Sequence, residues 1–461
     1  MNKTTDNDTI CAIATPPGSG GIAVLRLSGP RAKEIAAAVC QHPDVIAAME
    51  PNMVRHTYLR NGAELLDEGV LAYFKAPKSY TGEDVVEISC HGGWHASHAI
   101  LDVLLRHGSR LAEPGEFTMR AFLNGKMDLA QAEAVAQLVA ARTEAAGKAA
   151  LRQLEGGLSK KVREMRAKIL DMLALIEVEL DFTEEDIQFA TREEREQSIR
   201  ALIDDCDRLV QTYRQGRLLR EGLRVAIVGP PNSGKSTLFN ALVEEERAIV
   251  SPHPGTTRDV IEARLDISGV EVILLDTAGV REGGEEIERA GIGRTMKEIQ
   301  RADVVLLVID INENKELEHS ISRTLEGRPT IVVWNKIDLL PSPQRTEAVR
   351  ASPQYVSRET VAEVRVSALL HEGLYDLKKA IFHHTIGEGK DATPVQVTEV
   401  RHKQELETAS QALNRAMFSL KDPTLCATDL RDAADALGRI TGETIGEEIL
   451  DRIFSQFCIG K

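Results

Sequence analysis

Hydrophobic and polar positions change their pattern along the chain. Up to about residue 120, short β-type runs such as TICAIA, GIAVLRLS, GVLAYF and DVVEISC alternate with Gly- and Pro-containing turns and two helical stretches. Such runs, bounded by turn residues and mixed with helices, indicate a small α+β domain. From about Met127 apolar residues recur at helical spacing in a segment rich in Ala, Leu, Glu, Lys and Arg. This pattern predicts long helices.

The helical pattern is interrupted once. It stops at about Arg220, where LRVAIVG begins, and returns from about Glu399 as EVRHKQELETASQALNRAMFSL. The block between them, about 160 residues, has the size of one domain. We therefore predict an α/β domain inserted into an all-α domain. The predicted divisions are an α+β domain at 1–122, a first helical segment at 123–220, the inserted domain at 221–388 and a second helical segment at 389–461.

Composition narrows the class of protein. The 461 residues are 43% hydrophobic and 28% charged, as expected of a globular protein with about three domains. No apolar run approaches the roughly 20 residues that span a bilayer, and the polar N-terminus fits neither a secretory signal nor a transit peptide. We expect a cytoplasmic protein without membrane contact. The six scattered cysteines suggest reduced thiols, and the net charge of −15 requires any RNA contact to use a local basic patch or a partner protein.

The inserted block opens with a phosphate-binding motif. A buried-strand pattern runs into GPPNSGKS at 229–236, and a helical segment follows. Strand, Gly-rich loop and helix in this order predict a P-loop. Gly229 and Gly234 let backbone N–H groups approach phosphate oxygens, Lys235 reaches the β- and γ-phosphates, and the Ser236 hydroxyl suits Mg²⁺.

Further motifs follow in the order of a GTPase. PGTTRD provides Thr257 as a second hydroxyl for Mg²⁺, and VILLDTAG ends in Asp276 and Gly279 beside the γ-phosphate. In NKID, Asp338 accepts both N–H groups of the Watson–Crick edge of guanine, which selects GTP over ATP. The predicted GTP-contacting residues are Asn232, Ser233, Gly234, Lys235, Ser236, Thr237, Ser251, Thr256, Thr257, Asp276, Thr277, Ala278, Gly279, Asn335, Lys336, Asp338, Ser367 and Ala368.

One position departs from the Ras-like pattern. Val280 stands where Ras-like GTPases carry the glutamine that orients the attacking water. Three residues could compensate for the missing glutamine. Asn232, with carbonyls of VSPHPGT, could hold a monovalent cation in place of an arginine finger, and Glu288 could orient the water. Arg281 could act as a finger itself, although only after a large loop movement.

Several longer motifs extend across the whole chain. They are DNDTI, ATPPGSGGIAVLRLSG, YTGEDVVEISCHGG, PGEFTMRAFLNGKMDLAQAEAV, GPPNSGKSTLFN, GTTRD, DTAGVRE, NKID and the terminal FCIGK. In these segments the chain resembles the bacterial tRNA-modification GTPase family MnmE, also called TrmE, over essentially its full length. The family has the same architecture, with a helical domain interrupted by a G domain.

The resemblance implies specific roles. G domains of the family dimerise around potassium, which would make Asn232 a ligand together with Ser251, Thr256 and the backbone carbonyl of His253. Ser251 stands where a threonine also occurs. Glu288 matches the catalytic glutamate, and Lys235 acts with it.

Other implied roles concern the cofactor and the partners. The N-terminal domain is implied to bind a formyl or methylene tetrahydrofolate and to form a homodimer. The matching folate positions are Arg26, Glu83, Lys126 and Lys461. With the flavin- and NADH-dependent partner MnmG (GidA), in a hetero-oligomer, the family adds an aminomethyl or carboxymethylaminomethyl group to C5 of the wobble uridine of certain tRNAs.

Some features allow other interpretations. Cys458 could be a nucleophile near the one-carbon centre, or belong to an anchored tail in which it packs. His91, His95 and His98 lack a further ligand at metal spacing. The basic segment 159–168 could contact tRNA or be a solvated helix face. The alternative function is a regulatory GTPase in ribosome assembly or stress signalling; a third is a folate-binding scaffold with a vestigial G domain.

Overall fold

The computed structural model describes residues 8–181, 191–245, 261–276, 300–312, 325, 327–341, 360–386 and 395–461. The chain divides into two compact units. Unit 1 comprises residues 1–136, 153–204 and 405–461, and unit 2 comprises residues 137–152 and 205–404. The domain boundaries at 122, 220 and 388 stay predictions. Within the described ranges, no helix is long and apolar enough to cross a membrane.

Unit 1 contains a six-stranded sheet. Its strands are β1 (Ile10–Ile13), β2 (Ile22–Ser28), β3 (Val54–Asn61), β4 (Glu64–Phe74), β5 (Val85–His91) and β6 (Arg110–Leu111). The order is β3-β4-β5-β2-β1-β6, and every pair is antiparallel except β1 and β6. Because side chains alternate along a strand, Leu25, Leu27 and Ile88 point to one face and are fully buried.

Helices cover that face and continue through the rest of the chain. They are α1 (Ala32–Ala38), α2 (Pro43–Ala47), α3 (Trp94–Arg106), α4 (Glu116–Leu123), α5 (Leu129–Ala140), α6 (Glu144–Leu154), α7 (Gly157–Asp181), α8 (Arg192–Glu221), α9 (Lys235–Glu245), α10 (Leu374–Ile386), α11 (Val400–Phe418), α12 (Pro423–Thr441) and α13 (Glu447–Phe454). Ile35, Ile46 and Ile100, one from each of α1, α2 and α3, belong to the same core as the buried face of the sheet.

The helical region of unit 1 joins distant stretches of the sequence. Helix α12 begins at Pro423, where the Asp422 carboxylate accepts hydrogen bonds from the N–H groups of Thr424 and Leu425. It packs against α7, and Arg166 Nε donates to the carbonyl of Ala434 at 3.2 Å. Since α7 precedes the central block and α12 follows it, the predicted interrupted helical domain is confirmed.

Unit 2 contains the second sheet. Its strands are β7 (Leu223–Val228), β8 (Ile261–Ile267), β9 (Val270–Asp276), β10 (Val304–Asp310), β11 (Thr330–Asn335) and β12 (Thr360–Arg365), in the order β12-β11-β10-β7-β9-β8. All pairs are parallel except β8 and β9. Helices α9 and α10 pack on one face of the sheet. This arrangement is the predicted Ras-like α/β fold, and it gathers the carboxyl ends of five parallel strands at one edge.

The two ends of the central block lie side by side. A Cβ atom on Gly216 of α8 would stand 2.2 Å from the carbonyl oxygen of Val397, so only glycine permits this approach. The N–H of Val397 donates to Thr212 Oγ1 at 3.0 Å. Arg220 forms an ion pair with Glu399. The chain therefore leaves α8 and returns to it at neighbouring positions, as an insertion requires.

Candidate functional site

The P-loop connects β7 to α9 at the carboxyl edge of the second sheet. Gly229 has a φ of 153°, and a Cβ atom there would stand 2.1 Å from the carbonyl oxygen of Val308. Gly234 has a φ of 94°, and its Cβ would stand 2.2 Å from Asn335 Nδ2. Both positions therefore exclude any side chain. The loop is packed closely on β10 and β11 while its other side remains open to a ligand.

Polar groups surround this loop. Lys235 Nζ donates to the carbonyls of Gly229 and Pro230 at 3.0 and 2.7 Å, which holds the ammonium charge at the loop. Ser236 and Thr237 are exposed in the first turn of α9, where N–H groups and the helix dipole favour anions. Asn232 is also exposed, and its φ of 62° is a conformation that asparagine tolerates better than most residues.

Asn335 ties the P-loop to the loop that follows β12. Its side chain is only 2% exposed. Nδ2 donates to the carbonyl of Ser233 at 3.0 Å, and Oδ1 accepts from the N–H of Ala368 at 3.1 Å. One buried amide thus sets the spacing between the phosphate-binding loop and the candidate guanine site. We call these two bonds the Asn335 clamp.

A hydrogen bond fixes Asp338, the acidic residue of the candidate guanine site. Ser367 Oγ donates to Asp338 Oδ1 at 2.6 Å and accepts from the N–H of Leu370 at 3.2 Å. Asp338 lies in a short 3-10 helix, Ile337–Leu339, directly after β11. The structure therefore brings Asp338, Ser367 and Ala368 together beside the P-loop, and their role in binding guanine stays a prediction.

Asp310 is a residue of this site that the sequence reasoning missed. It ends β10, and its Oδ2 accepts from Lys336 Nζ at 2.8 Å while Oδ1 accepts from the N–H of Asn312 at 3.0 Å. Burial acts to raise the pKa of Asp310, but the hydrogen bonds from Lys336 and Asn312 outweigh it and the pKa lies below its ordinary value. An acid at the end of the apolar run VVLLVID was the available signal.

Several residues of the predicted site lie outside the described ranges. Asp276 ends β9, so only its backbone position is described. The predicted residues outside the described ranges are Ser251, His253, Thr256, Thr257, Thr277, Ala278, Gly279, Val280, Arg281 and Glu288. The second magnesium hydroxyl, most of the potassium ligands and the water-orienting glutamate therefore stay predictions.

Unit 1 brings Arg26 to the C-terminal tail. Arg26 Nε donates to Glu87 Oε1 at 2.9 Å, and Nη1 donates to the carbonyl of Gly460 at 3.3 Å. Its guanidinium carbon lies 5.2 Å from the ring centroid of Tyr80 and 5.7 Å from that of Phe117. A guanidinium close to two aromatic rings can help to hold a flat, anionic ligand.

The other predicted folate residues lie in two places. Glu83 accepts from Ser28 Oγ at 2.7 Å and from Arg120 Nη1 at 3.1 Å. Lys126 packs against Gly82, the neighbour of Glu83, since a Cβ atom on Gly82 would stand 3.4 Å from its Cγ. Lys461 follows Gly460, whose backbone lies against the end of β1 and beside Arg26. Glu83 therefore lies near Lys126, and Arg26 lies near the C-terminal tail.

The tail also positions Cys458. The N–H of Gly115 donates to the carbonyl of Cys458 at 3.4 Å, so the tail is anchored through its backbone. The thiol is exposed rather than packed, whereas the other cysteines are buried. Among the described residues, no cluster of three His, Cys, Asp or Glu side chains could hold a metal ion, and His98 stacks on Trp94 instead.

A buried network of charged residues holds the Glu83 carboxylate through Arg120. Arg120 is 8% exposed and contacts Glu83, Asp8 at 2.5 Å and Glu116 at 3.0 Å, while Arg110 contacts Asp8 and Glu116 from the other side. Burial acts to raise the pKa values of Asp8 and Glu116, but hydrogen bonds to the arginines lower both below their ordinary values. The sequence reasoning missed this network, although Glu116 and Arg120 stand at helical i, i+4 spacing.

We expect Arg120→Met to destabilise unit 1 by about 3 to 5 kcal/mol at neutral pH, because the buried Glu116 and its neighbour Asp8 each lose one of the two arginines that compensate their charge. Carboxylates with lowered pKa values stabilise the fold above their unfolded pKa, and this stability is lost as the pH falls through the folded pKa. The difference between the variant and the parent protein should therefore stay constant from pH 7 to about pH 5 and shrink as the pH falls below about 4. Urea unfolding followed by Trp94 fluorescence in a Trp334→Phe background measures it.

Arg431→Met is the matched control for this prediction. Arg431 forms an exposed ion pair with Glu177 in the same unit, and its side chain is 54% exposed. Its loss should change stability by no more than about 0.5 kcal/mol at any pH. Equal destabilisation by both variants, or a difference that grows at low pH, would contradict the role given to Arg120.

The chain is similar to known proteins over almost its whole length. The family model described as MnmE helical domain matches residues 129–458, and the one described as GTP-binding protein TrmE N-terminus matches residues 9–126. The chain is 43% identical over 460 residues to the tRNA modification GTPase MnmE of Aquifex aeolicus, covering 98% of this chain and 100% of that protein. The MnmE protein of Clostridioides difficile is 40% identical over 462 residues, covering 99% of each chain.

One solved structure is a variant of Aquifex aeolicus Era bound to GDP·AlF4−. It is 29% identical and covers 41% of this chain and 66% of its own. Its TM-score of 0.28 is too low to support a conclusion. The fold assignment of unit 2 instead rests on the strand order and on the glycine-lined loop.

Proposed function

Since the chain belongs to the MnmE family of tRNA modification GTPases, it is a GTPase that acts in tRNA modification, and we propose that potassium activates its hydrolysis of GTP. The observation that carries the G-domain assignment is the Asn335 clamp, which joins the P-loop to the candidate guanine site through one buried side chain. Asp338, held by Ser367, would accept the two N–H groups of guanine.

The residues of the loop fit a triphosphate with its metal ions. Gly229 and Gly234 have no room for a Cβ atom, so no side chain separates the backbone N–H groups of the loop from a bound anion. Lys235 adds a positive charge at the same loop. Ser236, with Thr257, would hold Mg²⁺, and Asn232 would hold K⁺ together with Ser251, His253 and Thr256. When bound, potassium would supply the positive charge that an arginine finger supplies in related enzymes.

Glu288 would then take the place of the missing glutamine. Val280 has no hydrogen-bonding group, so it cannot orient the attacking water. A carboxylate that accepts a hydrogen bond from the water can do so. We propose that Glu288 and Lys235 are the catalytic residues of the G domain, with Glu288 acting on the water and Lys235 on the phosphates.

For unit 1 we propose a one-carbon folate site and a homodimer. Arg26, Glu83, Lys126 and Lys461 would bind a formyl or methylene tetrahydrofolate, which would supply the carbon transferred to tRNA. The fit rests on the Arg26 guanidinium close to two aromatic rings and on a carboxylate, Glu83, held by Ser28 and Arg120. Cys458, exposed on the tail beside Arg26, is a candidate nucleophile in that chemistry.

The proposed reaction needs a second protein. With the flavin- and NADH-dependent MnmG in a hetero-oligomer, the chain would add an aminomethyl or carboxymethylaminomethyl group to C5 of the wobble uridine of certain tRNAs. We place this activity in the cytoplasm.

Mass spectrometry of tRNA nucleosides tests the modification role. After loss of the protein, the C5-substituted wobble uridines should disappear, and the wild-type chain should restore them. Lys235→Ala should not restore them, because the P-loop would lack its cation, whereas Arg431→Met should. Unchanged wobble uridines after loss of the protein would contradict the proposal and favour a regulatory GTPase in ribosome assembly or stress signalling.

A further inference from the structure

Three lysines meet at one tight turn of unit 1. The N–H of Lys78 donates to the carbonyl of Lys75 at 2.9 Å, which places these two residues at the ends of a turn around Pro77. Lys126 reaches the same turn from the segment after α4, where its Nζ donates to the carbonyl of Pro77 at 3.0 Å. We call Lys75, Lys78 and Lys126 the lysine turn. Lys75 and Lys78 are exposed, and the Nζ of Lys126 lies at the surface of the turn.

The turn is held firmly but its charges are not neutralised. Asp84 accepts from the N–H of Ala76 at 2.9 Å and from the hydroxyl of Tyr73 at 3.1 Å, so this carboxylate holds the backbone of the turn and a tyrosine. Across the ranges that the structure describes, none of the three ammonium groups forms an ion pair with a carboxylate. In a chain with a net charge of −15, such a cluster of cations indicates an anionic ligand.

The lysine turn is continuous with the candidate folate site. The segment that leaves it contains Tyr80, whose ring lies 5.2 Å from the Arg26 guanidinium carbon, and then Glu83. Lys126 belongs to both the lysine turn and the candidate folate site, because its Nζ contacts the turn and it is a predicted folate residue. A ligand held by Arg26 and Glu83 would therefore have the lysine turn at its border.

We propose that the lysine turn binds the γ-linked glutamate chain of a folylpolyglutamate, and that this form is preferred over the monoglutamate. The inference rests on the proposed folate site. Each γ-linked glutamate adds an α-carboxylate to a flexible chain that extends away from the ring system. Exposed lysine–carboxylate pairs are individually weak, but several carboxylates against three ammonium groups add up, and salt screens them.

Isothermal titration of the full chain with 5-formyltetrahydrofolate monoglutamate and with its pentaglutamate tests the inference. At low salt the wild-type chain should bind the pentaglutamate about tenfold more tightly than the monoglutamate, with the difference decreasing as salt is added. The variant Lys75→Gln/Lys78→Gln should bind the monoglutamate normally and lose most of the preference. The control Lys160→Gln/Lys168→Gln, with the same charge change on exposed positions of α7, should keep it.

Each other outcome has a defined meaning. Equal binding of the two folates by the wild-type chain would overturn the lysine turn as a polyglutamate site and leave the folate site intact. No binding of either folate would overturn both. If both double variants lost the preference for the pentaglutamate equally, the preference would be a general effect of net charge. The lysine turn would then not be the polyglutamate site. If Lys75→Gln/Lys78→Gln keeps the preference but weakens binding of a tRNA transcript, the turn contacts tRNA phosphates and the inference is wrong.

Discussion

Gly234→Ala is expected to lower the affinity for GTP at least about a hundredfold, because the new methyl group would displace the Asn335 clamp. The Cβ atom would stand 2.2 Å from Asn335 Nδ2, and the φ of 94° disfavours any side chain. Backbone strain of about 1 to 3 kcal/mol and the loss of one or two buried hydrogen bonds of about 1 to 3 kcal/mol each amount to about 2 to 9 kcal/mol, and a hundredfold represents roughly 2.7 kcal/mol.

Gly147→Ala is the matched control in the same unit. Gly147 lies within α6, has no positive φ and has no atom within 4 Å of its would-be Cβ. The substitution should leave GTP affinity unchanged and stabilise the helix by up to about 1 kcal/mol. Titration with a fluorescent GTP analogue measures both variants. If Gly234→Ala binds GTP within about threefold of the wild-type chain, the close packing of the loop on Asn335 has no functional role.

Much of the architecture could be predicted from the sequence because it follows from local patterns. The run LRVAIVG predicts a buried strand, which is β7, and the helical periodicity on both sides of the block predicts the interrupted helical domain. Strand pairing was not predictable in the same way. Nothing in the apolar pattern indicates that β10 lies beside β7 or that β8 pairs with β9 in antiparallel fashion, since periodicity carries no information on neighbours.

The residues of the candidate site also divide into those that local sequence patterns predict and those that they do not. Residues within short motifs, such as Lys235 and Asp338, could be predicted because loop chemistry requires them at that spacing. Asp310 and Arg120 act through partners that are remote in sequence. Arg120 contacts Asp8, 112 positions away, and that contact depends on how the N-terminal segment packs against α4. No local pattern contains it.

The second large expected effect concerns potassium. With Val280 in place of glutamine, hydrolysis without added charge should be very slow, whereas an arginine finger raises the rate about a thousandfold to 10⁵-fold in related enzymes. If potassium held by Asn232 replaces that finger, the turnover number in potassium should exceed that in sodium by about a hundredfold or more. GTP affinity should hardly change, because the charge acts mainly in the transition state.

Asn232→Gly is the variant that isolates this role. Glycine accepts the φ of 62° without strain, so the loop keeps its shape and only the amide oxygen is lost. The variant should bind GTP normally and lose the potassium response. A large loss of GTP affinity in Asn232→Gly would mean that the amide supports the loop structure instead.

The most direct test of the account is the steady-state rate of GTP hydrolysis by the wild-type chain, measured in potassium and in sodium at the same ionic strength. We expect rapid turnover in potassium and turnover lower by about a hundredfold or more in sodium. Equal rates in the two salts would contradict it, because the charge missing at the active site could then not come from a bound potassium ion.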